Sequence, residues 1–212
     1  MKRNLSRNLR FYLIADWELC ADKSFFLNKV KSAVRAGCRC VQLRAKNLDT
    51  PALLRLAETV RKLTKNKSLF IVNDRIDIAL VSGADGVHIG HNDAPVDCAR
   101  ILLGRNKIIG CSVHSANQAF IAEQNGADYI GVGPIFKTTT KPQLTPIGPD
   151  IFMRLKNLKI PQVAIGGINN HTIRIARAKG AFMFAFASYI MRNKNPCRAM
   201  YILKQTLQRN IK

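Results

Sequence analysis

Short apolar segments alternate with helix-forming segments along the whole chain, and this alternation constrains the fold more than any other feature. Four of the helical segments end at a glycine that an apolar strand follows within a few residues: Gly37, Gly83, Gly126 and Gly180. Glycine often closes a helix because it adopts the left-handed conformation without steric cost. Each interval between these glycines holds two strand–helix units, so the chain is predicted to contain eight units in all.

Eight short apolar segments are predicted as strands. They cover Phe11–Ala15, Cys40–Lys46, residues 71–74, Gly86–Gly90, Lys107–Val113, Tyr129–Ile135, Pro161–Ile168 and Ala181–Ser188. Eight units in 212 residues favour a closed parallel (β/α)8 barrel, the TIM barrel, over the alternative of an open doubly wound sheet. No Pro/Ser/Gly-rich linker divides the chain, so we predict a single domain over residues 1–212, with residues 1–10 as a basic N-terminal extension.

Local signals predict several helix boundaries. Thr50 followed by Pro51 is typical of an N-cap and a first-turn proline. Asn169 or Asn170 is predicted to cap the helix that ends at Gly180, and the last helix is expected to continue to about Ile211.

The second predicted strand has one apolar and one polar face. Val41, Leu43 and Ala45 share the first face, and Gln42, Arg44 and Lys46 share the second. In a parallel barrel the helices cover the outer face, so the polar face would point inward. At the carboxyl end of the barrel, where barrel enzymes build their sites, these side chains could hold an anion. A solvated edge strand is the alternative.

Two aspartates follow neighbouring predicted strands. Asp74 comes directly after the third strand, and Asp93 follows the fourth. Parallel neighbours end at the same edge of a sheet, so the two carboxylates are expected to lie close together. Mg²⁺ prefers one or two carboxylates together with substrate phosphate oxygens, and this pair therefore suggests a diphosphate site. The alternative is that Asp74 only caps the helix that follows it.

Polar residues collect at the carboxyl ends of most predicted strands. They are Gln42, Arg44, Lys46, Asn73, Asp74, Asp93, Ser112, His114, residues 138–141, Gly166, Gly167 and Ser188. The segment from Phe136 to Gly148 is too long for a plain connection, which indicates a functional loop. Gly166-Gly167 and Ser188 match the phosphate site that barrels build from their last two loops, although a tight turn alone would also explain the glycines.

The formal net charge of +21 raises the possibility of a polyanion partner. Lys and Arg are nevertheless scattered over most predicted helices, without an aromatic-interleaved stripe, so a nucleic-acid function is not favoured. A positive field would still attract small phosphorylated substrates. The six cysteines lack metal or disulfide spacing, and no signal peptide or membrane span is evident, so we expect a cytoplasmic protein with reduced thiols. A homo-oligomer is possible.

Several segments together resemble the thiamine phosphate synthase family. They are QLRAK at 42–46, NDR at 73–75, GADGVHIGHNDAP at 83–95, Ser112, GADYIGVGPIF at 126–136, TTTK at 138–141 and AIGGI at 164–168. The resemblance covers nearly the whole chain in the same order. It implies a (β/α)8 transferase that joins 4-amino-5-hydroxymethyl-2-methylpyrimidine diphosphate to a thiazole phosphate, releasing diphosphate in a dissociative, Mg²⁺-assisted substitution.

The resemblance also implies functions for individual residues. The pyrimidine diphosphate would be held by Gln42, Arg44, Lys46, Asn73, Ser112 and Lys141, of which Arg44, Lys46, Ser112 and Lys141 would be catalytic. Mg²⁺ would be bound by Asp74 and Asp93. The thiazole phosphate would be held by Thr138, Thr140, Gly167, Ala187 and Ser188.

The chain departs from the family pattern at two places. His91 stands where the family usually has Gln, and Phe182-Met183-Phe184 replaces a small, Gly-containing start of the last strand, which is expected to crowd the thiazole phosphate subsite. Two other functions remain open: a thiazole tautomerase-like barrel without metal, and a non-catalytic anion-binding protein on a decayed barrel. Lys141 could also lie on a solvated loop without a catalytic function.

Overall fold

A computed structural model of the chain, which describes residues 4–90 and 93–208, contains eight parallel strands that close into a barrel. The strands are β1 (Phe11–Asp16), β2 (Cys40–Arg44), β3 (Leu69–Asn73), β4 (Gly86–Ile89), β5 (Ile108–Val113), β6 (Tyr129–Val132), β7 (Gln162–Ala164) and β8 (Met183–Phe186). Each strand pairs with the next, and β1 pairs with β8 in the register Phe11 to Phe184. The predicted (β/α)8 barrel is confirmed, and the open sheet, which would leave two free edges, is excluded.

Helices cover the outside of the barrel. They are α1 (Leu5–Leu9), α2 (Lys23–Arg35), α3 (Thr50–Thr64), α4 (Ile76–Val81), α5 (Val96–Leu103), α6 (Ala116–Gln124), α7 (Ile151–Arg154), α8 (Thr172–Ala178), α9 (Ser188–Met191) and α10 (Pro196–Gln208), with a 3-10 turn at Trp17–Leu19. The glycines at 37, 83, 126 and 180 have φ values of 84°, 66°, 87° and 100°, as expected for helix ends. No helix of the described segments is long and apolar enough to cross a membrane.

Two predicted helix starts are revised. Thr50 is the first residue of α3, and the N-cap is Asp49, whose carboxylate accepts a hydrogen bond from Ala52 N at 2.8 Å. The N-cap residue of α8 is His171 rather than Asn169 or Asn170, and Asn169 contributes from just before the helix, where its side-chain oxygen accepts hydrogen bonds from the backbone N–H groups of His171 and Thr172. The predicted end of the last helix near Ile211 lies outside the described residues.

The apolar side chains form two separate layers. The outer layer lies between the sheet and the helices, and it includes Val41 and Leu43 from the apolar face of β2. The inner layer fills the barrel at its amino-terminal end, and it includes Tyr12 and Tyr129. The alternation along β2 therefore has the predicted orientation, with Gln42 buried inside the barrel.

The first residues of the chain form part of the inner layer. Residues 4–10, which we predicted as part of a basic extension, instead place α1 against the amino-terminal end of the barrel. Leu5 and Leu9 are buried there beside Tyr12. The amphipathic pattern of α1 could not be recognised in the sequence, because a helix of 5 residues is too short to show a helical period and basic residues surround its leucines.

We expect Leu9→Ala to destabilise the protein by about 2 to 5 kcal/mol, because it leaves a cavity in the inner layer. Leu9 is 0% exposed, whereas Leu102 on α5 is 61% exposed, so Leu102→Ala is the matched control and should change stability by less than about 0.5 kcal/mol. Urea unfolding of the two variants measures the difference. Equal midpoints would contradict the packing of α1 against the barrel.

Candidate active site

A cleft of about 820 Å³ opens to solvent at the carboxyl ends of the strands. Its lining includes ten of the predicted site residues: Gln42, Arg44, Asn73, Ser112, Thr138, Thr140, Lys141, Gly167, Ala187 and Ser188. These residues come from six βα units and meet only because the parallel strands end at one rim. The remaining three predicted residues, Lys46, Asp74 and Asp93, lie together at the edge of the cleft.

Asp74 and Asp93 are brought together as predicted for parallel neighbours. Burial, followed by the adjacent Asp74 carboxylate, raises the pKa of Asp93 above its ordinary value. Asp93 Oδ2 accepts a hydrogen bond from Gly90 N at 2.6 Å, and Asp74 Oδ2 pairs with Lys46 Nζ at 2.9 Å. Two carboxylates this close favour a shared cation.

The alternative function of Asp74 as a helix cap is not observed. The first residue before α4 is Arg75, and no side chain caps that helix. Asp74 itself adopts a left-handed conformation with φ of 62°, which is uncommon outside glycine and is typical of functional turns. Its carboxylate pairs with Lys46 at the edge of the cleft instead of capping α4.

The two carboxylates fit Mg²⁺ as this ion usually binds in proteins. Among residues 4–90 and 93–208 no cluster of three or more His, Cys, Asp or Glu side chains could form a closed metal cage. Mg²⁺ commonly takes only one or two carboxylates and completes its coordination with water and substrate phosphates. An open carboxylate pair beside a phosphate-sized cleft meets that requirement.

Arg44 is held by two carboxylates that the sequence analysis did not identify. Its Nη1 donates to both oxygens of Asp16 at 2.9 Å and to Glu18 Oε2 at 2.7 Å. Asp16 ends β1 and pairs in register with Arg44 at the end of β2. Glu18 also accepts hydrogen bonds from the backbone N–H groups of Lys46 and Asn47, at 2.6 and 3.1 Å.

The two carboxyl groups beside Arg44 differ in how readily they bind a proton. Burial, followed by the hydrogen bond with Glu18, raises the pKa of Asp16 to about 7, although Arg44 acts in the opposite direction. Burial also acts to raise the pKa of Glu18, but the hydrogen bonds with Asp16 and with the Asn47 backbone lower it. Arg44 therefore lies beside one ionised and one protonatable carboxyl group, which fix its guanidinium at the cleft wall.

Lys141 lies half-buried on the long loop after β6. Burial lowers the pKa of its amine, and the positive charges of Lys46 and Arg44 lower it further. These cations therefore occupy one region of the cleft, although they are far apart in the sequence. A position on a fully solvated loop, which the sequence left open for Lys141, does not fit this burial.

The opposite part of the cleft is formed by the last loops. Gly166 and Gly167 have φ values of 90° and 65°, and added Cβ atoms there would lie 2.6 Å from Pro134 Cβ and 2.5 Å from the Lys137 carbonyl oxygen. The turn therefore requires glycine because the loop after β6 packs directly against it. Thr140 Oγ1 is buried and has no hydrogen-bond partner among the described residues.

The Phe182-Met183-Phe184 departure does not crowd this part of the cleft. Phe182 directly precedes β8 and Met183 and Phe184 begin it, at the amino-terminal end of the barrel, whereas Ala187 and Ser188 follow its carboxyl end. Phe182 is 59% exposed and stacks against Arg177, and Phe184 packs in the outer layer. The prediction of a crowded subsite was wrong because a strand places its first and last residues at opposite ends of the barrel. The other departure, His91, lies outside the described residues.

A chain of hydrogen bonds crosses the inside of the barrel below the cleft. Gln42 Nε2 donates to the Tyr12 hydroxyl at 2.8 Å, and the Tyr12 and Tyr129 hydroxyls are 2.8 Å apart. His88 bonds Tyr129 through Nδ1 at 3.0 Å and Ser112 through Nε2 at 2.9 Å. Burial, followed by the charge of Lys141, lowers the pKa of His88 to about 4. The sequence analysis assigned no function to Tyr12, His88 or Tyr129.

Comparisons with known proteins agree with this arrangement. The family model described as thiamine monophosphate synthase matches residues 11–190. The thiamine-phosphate synthase of Methanosarcina mazei is 45% identical over 183 residues, which is 85% of this chain and 75% of that protein. The one of Methanosarcina barkeri is 41% identical over 205 residues, which is 95% of this chain and 92% of that protein. The solved thiamine phosphate pyrophosphorylase from Pyrococcus furiosus is 34% identical, with a TM-score of 0.88 over 99% of this chain and 100% of that chain.

We expect Asp16→Asn to change how stability depends on pH. Because the folded-state pKa of about 7 exceeds the ordinary value of 3.8, folding favours the protonated carboxyl. The stability that protonated Asp16 contributes is fully present below the pKa of the unfolded state and is lost as the pH rises through the pKa of the folded state. Asn mimics the protonated form, so the variant should gain stability relative to the parent between about pH 4 and pH 7.

Urea unfolding at several pH values measures this difference. Asp97→Asn, on the exposed face of α5, is the control and should follow the parent. If the curves for Asp16→Asn and the parent run parallel over this range, Asp16 does not carry the proton.

Proposed function

The chain belongs to the thiamine monophosphate synthase family and is a transferase, and from this premise we propose that it couples 4-amino-5-hydroxymethyl-2-methylpyrimidine diphosphate to a thiazole phosphate. The products would be thiamine phosphate and diphosphate. The observation that carries the proposal is the grouping of Arg44, Lys46 and Lys141 beside Asp74 and Asp93 at one side of the cleft. Three cations beside two carboxylates suit a diphosphate with Mg²⁺ better than a small phosphate ester alone.

The diphosphate half of the site would use this cluster. Arg44 is held in place by Asp16 and Glu18, so little side-chain entropy is lost when it binds an anion. Burial and then the neighbouring cations lower the pKa of Lys141, and a bound diphosphate would offset the repulsion among these cations. Asn73, at the end of β3, lines the same wall and would add an amide hydrogen bond.

Asp74 and Asp93 would hold Mg²⁺ at the rim. When bound, the ion neutralises charge that develops on the departing diphosphate. Lys46 pairs with Asp74 in this structure, and it would turn towards the diphosphate as a charge partner. The pair of aspartates then contributes through electrostatics alone, since neither carboxylate needs to act as nucleophile or base.

The thiazole phosphate half would use the last loops. Thr138, Thr140, Gly167, Ala187 and Ser188 line that side of the cleft. The unpartnered Oγ1 of Thr140 supports a ligand contact there, because a buried hydroxyl without a partner is costly. Loops after the seventh and eighth strands, together with a short extra helix such as α9, form the usual phosphate site of TIM barrels.

The proposed reaction needs no protein nucleophile. The bond between the pyrimidine methylene carbon and the diphosphate oxygen breaks, and its electron pair leaves with the diphosphate. The thiazole nitrogen then gives its lone pair to the methylene cation and forms the new C–N bond. Preorganised charge near the leaving group is the largest expected contribution, and the protein would also exclude water that could capture the cation.

Release of diphosphate in the presence of both substrates tests the proposal. A synthase releases diphosphate and forms thiamine phosphate only when the pyrimidine diphosphate, the thiazole phosphate and Mg²⁺ are present. A thiazole tautomerase-like barrel would isomerise a thiazole without releasing diphosphate. A non-catalytic binding protein would bind the anions and form no product, and either of these results would refute the proposal.

We expect Asp93→Ala to remove most activity with little loss of stability, because it deletes a charged ligand at the rim and leaves both apolar layers intact. Diphosphate release is measured across a Mg²⁺ titration, and the variant should need far more Mg²⁺ than the parent. Asp97→Ala, an exposed aspartate four residues further along the chain, is the control and should retain the parent curve. The same Mg²⁺ dependence in Asp93→Ala and the parent would show that Asp93 is not a ligand.

We expect Lys141→Ala to lower both kcat and kcat/KM, because the amine would meet the diphosphate chiefly as its charge develops. A loss of about a hundredfold is typical when one such electrostatic contact is removed. Lys137→Ala, an exposed lysine on the same loop, should stay within about twofold of the parent. Single-turnover kinetics isolates the chemical step, and an unchanged step in Lys141→Ala would contradict this function for Lys141.

A further inference from the structure

The buried polar chain from Gln42 to Ser112 has a direction, because every hydrogen bond needs one donor and one acceptor. Gln42 Nε2 is a donor, so the Tyr12 oxygen accepts at that end of the chain. The remaining links involve three hydroxyl groups and one imidazole ring, and each hydroxyl has a single proton to donate. The tautomer of His88 therefore determines the direction of the remaining links.

In the first arrangement His88 carries its proton on Nε2. Tyr12 donates to Tyr129, Tyr129 donates to His88 Nδ1, and His88 Nε2–H donates to the Ser112 oxygen. The protons on Tyr12, Tyr129 and His88 then each have an oxygen or nitrogen acceptor. The Ser112 hydroxyl proton remains free to point into the cleft, which Ser112 lines.

In the reverse arrangement His88 Nδ1–H donates to Tyr129, and Tyr129 donates to Tyr12. The Tyr12 oxygen would then accept from both neighbours, and its own proton would have only the Cys40 thiol, a weak acceptor. A doubly protonated His88 leads to the same conflict and adds a buried charge. Burying a donor without a good acceptor costs free energy. The first arrangement leaves fewer such donors and is therefore favoured.

We propose that Tyr12, Tyr129 and His88 are positioning residues that hold this one-directional hydrogen-bond chain, so that Gln42 presents an acceptor to the cleft and Ser112 presents a donor. With Nε2 of Gln42 engaged by Tyr12, the amide oxygen Oε1 is the group left for a ligand, and it has no hydrogen bond to any described residue. The two walls of the cleft thereby differ in hydrogen-bonding character although both side chains could act as donor or acceptor.

This arrangement selects one chemical class of ring. A ligand must offer an N–H group to Gln42 and an unprotonated ring nitrogen to Ser112, as a neutral aminopyrimidine does. An oxopyrimidine offers a carbonyl where the amino group stands, so two oxygens would face each other at Gln42, and its ring N–H removes the acceptor that the Ser112 hydroxyl proton would meet. The inference rests on the proposed function for the identity of the ring, whereas the direction of the chain is a property of the free protein.

Glycines make room for the chain. A Cβ atom at Gly110 on β5 would lie 2.1 Å from Tyr129 Cζ, and one at Gly131 on β6 would lie 3.1 Å from His88 Cε1. The barrel can therefore accommodate Tyr129 only because β5 lacks a side chain at this level. Such close packing fixes the rings, and the fixed rings keep the hydroxyl of Tyr129 in line between its two partners.

The first experiment measures the tautomer of His88 in the free protein. The chain contains four histidines, so the ¹⁵N imidazole signals of ¹⁵N-histidine-labelled protein are assigned by comparison with His88→Gln. We expect a protonated Nε2 and an unprotonated Nδ1 near neutral pH. A protonated Nδ1, alone or with Nε2, would overturn the proposed direction.

The second experiment measures ring preference by titration calorimetry with the aminopyrimidine diphosphate and its 4-oxo analogue. The parent should bind the amino compound at least about tenfold more tightly, and Tyr129→Phe should lose most of this preference because the chain is broken. Tyr201→Phe, at a side chain that is 62% exposed, is the matched control and should behave as the parent. A folded Tyr129→Phe that keeps the full preference would overturn the inference.

Tyr12→Phe breaks the chain next to Gln42 and serves as the second variant if Tyr129→Phe does not fold. It should also lose the preference for the amino ring, while its KM for the thiazole phosphate stays within about twofold of the parent, since that subsite lies on other loops. An equal loss for both substrates would indicate a merely structural function for Tyr12 and contradict the proposal.

These results separate the inference from the proposed function. A parent with the Nε2–H tautomer that releases no diphosphate contradicts the proposed function and leaves the direction of the chain supported. A parent that releases diphosphate but has the Nδ1–H tautomer leaves the function intact and overturns the inference.

Discussion

Closure of the sheet between β1 and β8 is the constraint on which the rest of the structure depends. The pairing of Tyr12 with Ala185 and of Leu13 with Phe186 removes both free edges and brings eight strand ends to one rim. Closure also separates the barrel interior from water, so every inward polar side chain needs a partner inside the protein. The cleft at one end, the apolar inner layer at the other and the polar chain between them all follow from this separation.

The sequence predicted the elements that depend on local patterns. The glycines at helix ends, the alternation along β2 and the positions of Asp74 and Asp93 could all be read within a few residues, because chain direction and strand period determine where a side chain points. The start of α3 was misassigned by one residue, since Asp49 and Thr50 are both good caps and only the backbone conformation distinguishes them. The barrel and most of the cleft lining followed from these local patterns.

The features that sequence reasoning missed depend on contacts across the barrel. Asp16 and Arg44 are 28 residues apart, and Tyr12 and Tyr129 are 117 apart, so no window of sequence brings them together. Only the register of the closed sheet determines which inward side chains meet. The prediction that Phe182 crowds the cleft was wrong for a similar reason. Phe182 is close to Ser188 along the chain, but the two residues lie at opposite ends of β8.

The amino-terminal helix α1 has a consequence for the order in which the protein folds. Its buried leucines and β1 pack against β8, and Phe184, the partner of Phe11, follows 173 residues later in the chain, so these partners are synthesised well after α1 and β1. At ordinary rates of translation this interval is on the order of 10 to 40 s. During that time the first strand and its helix carry exposed apolar surface. Final closure then joins the first strand of the barrel to the last, and only at that moment does the inside of the barrel become dry.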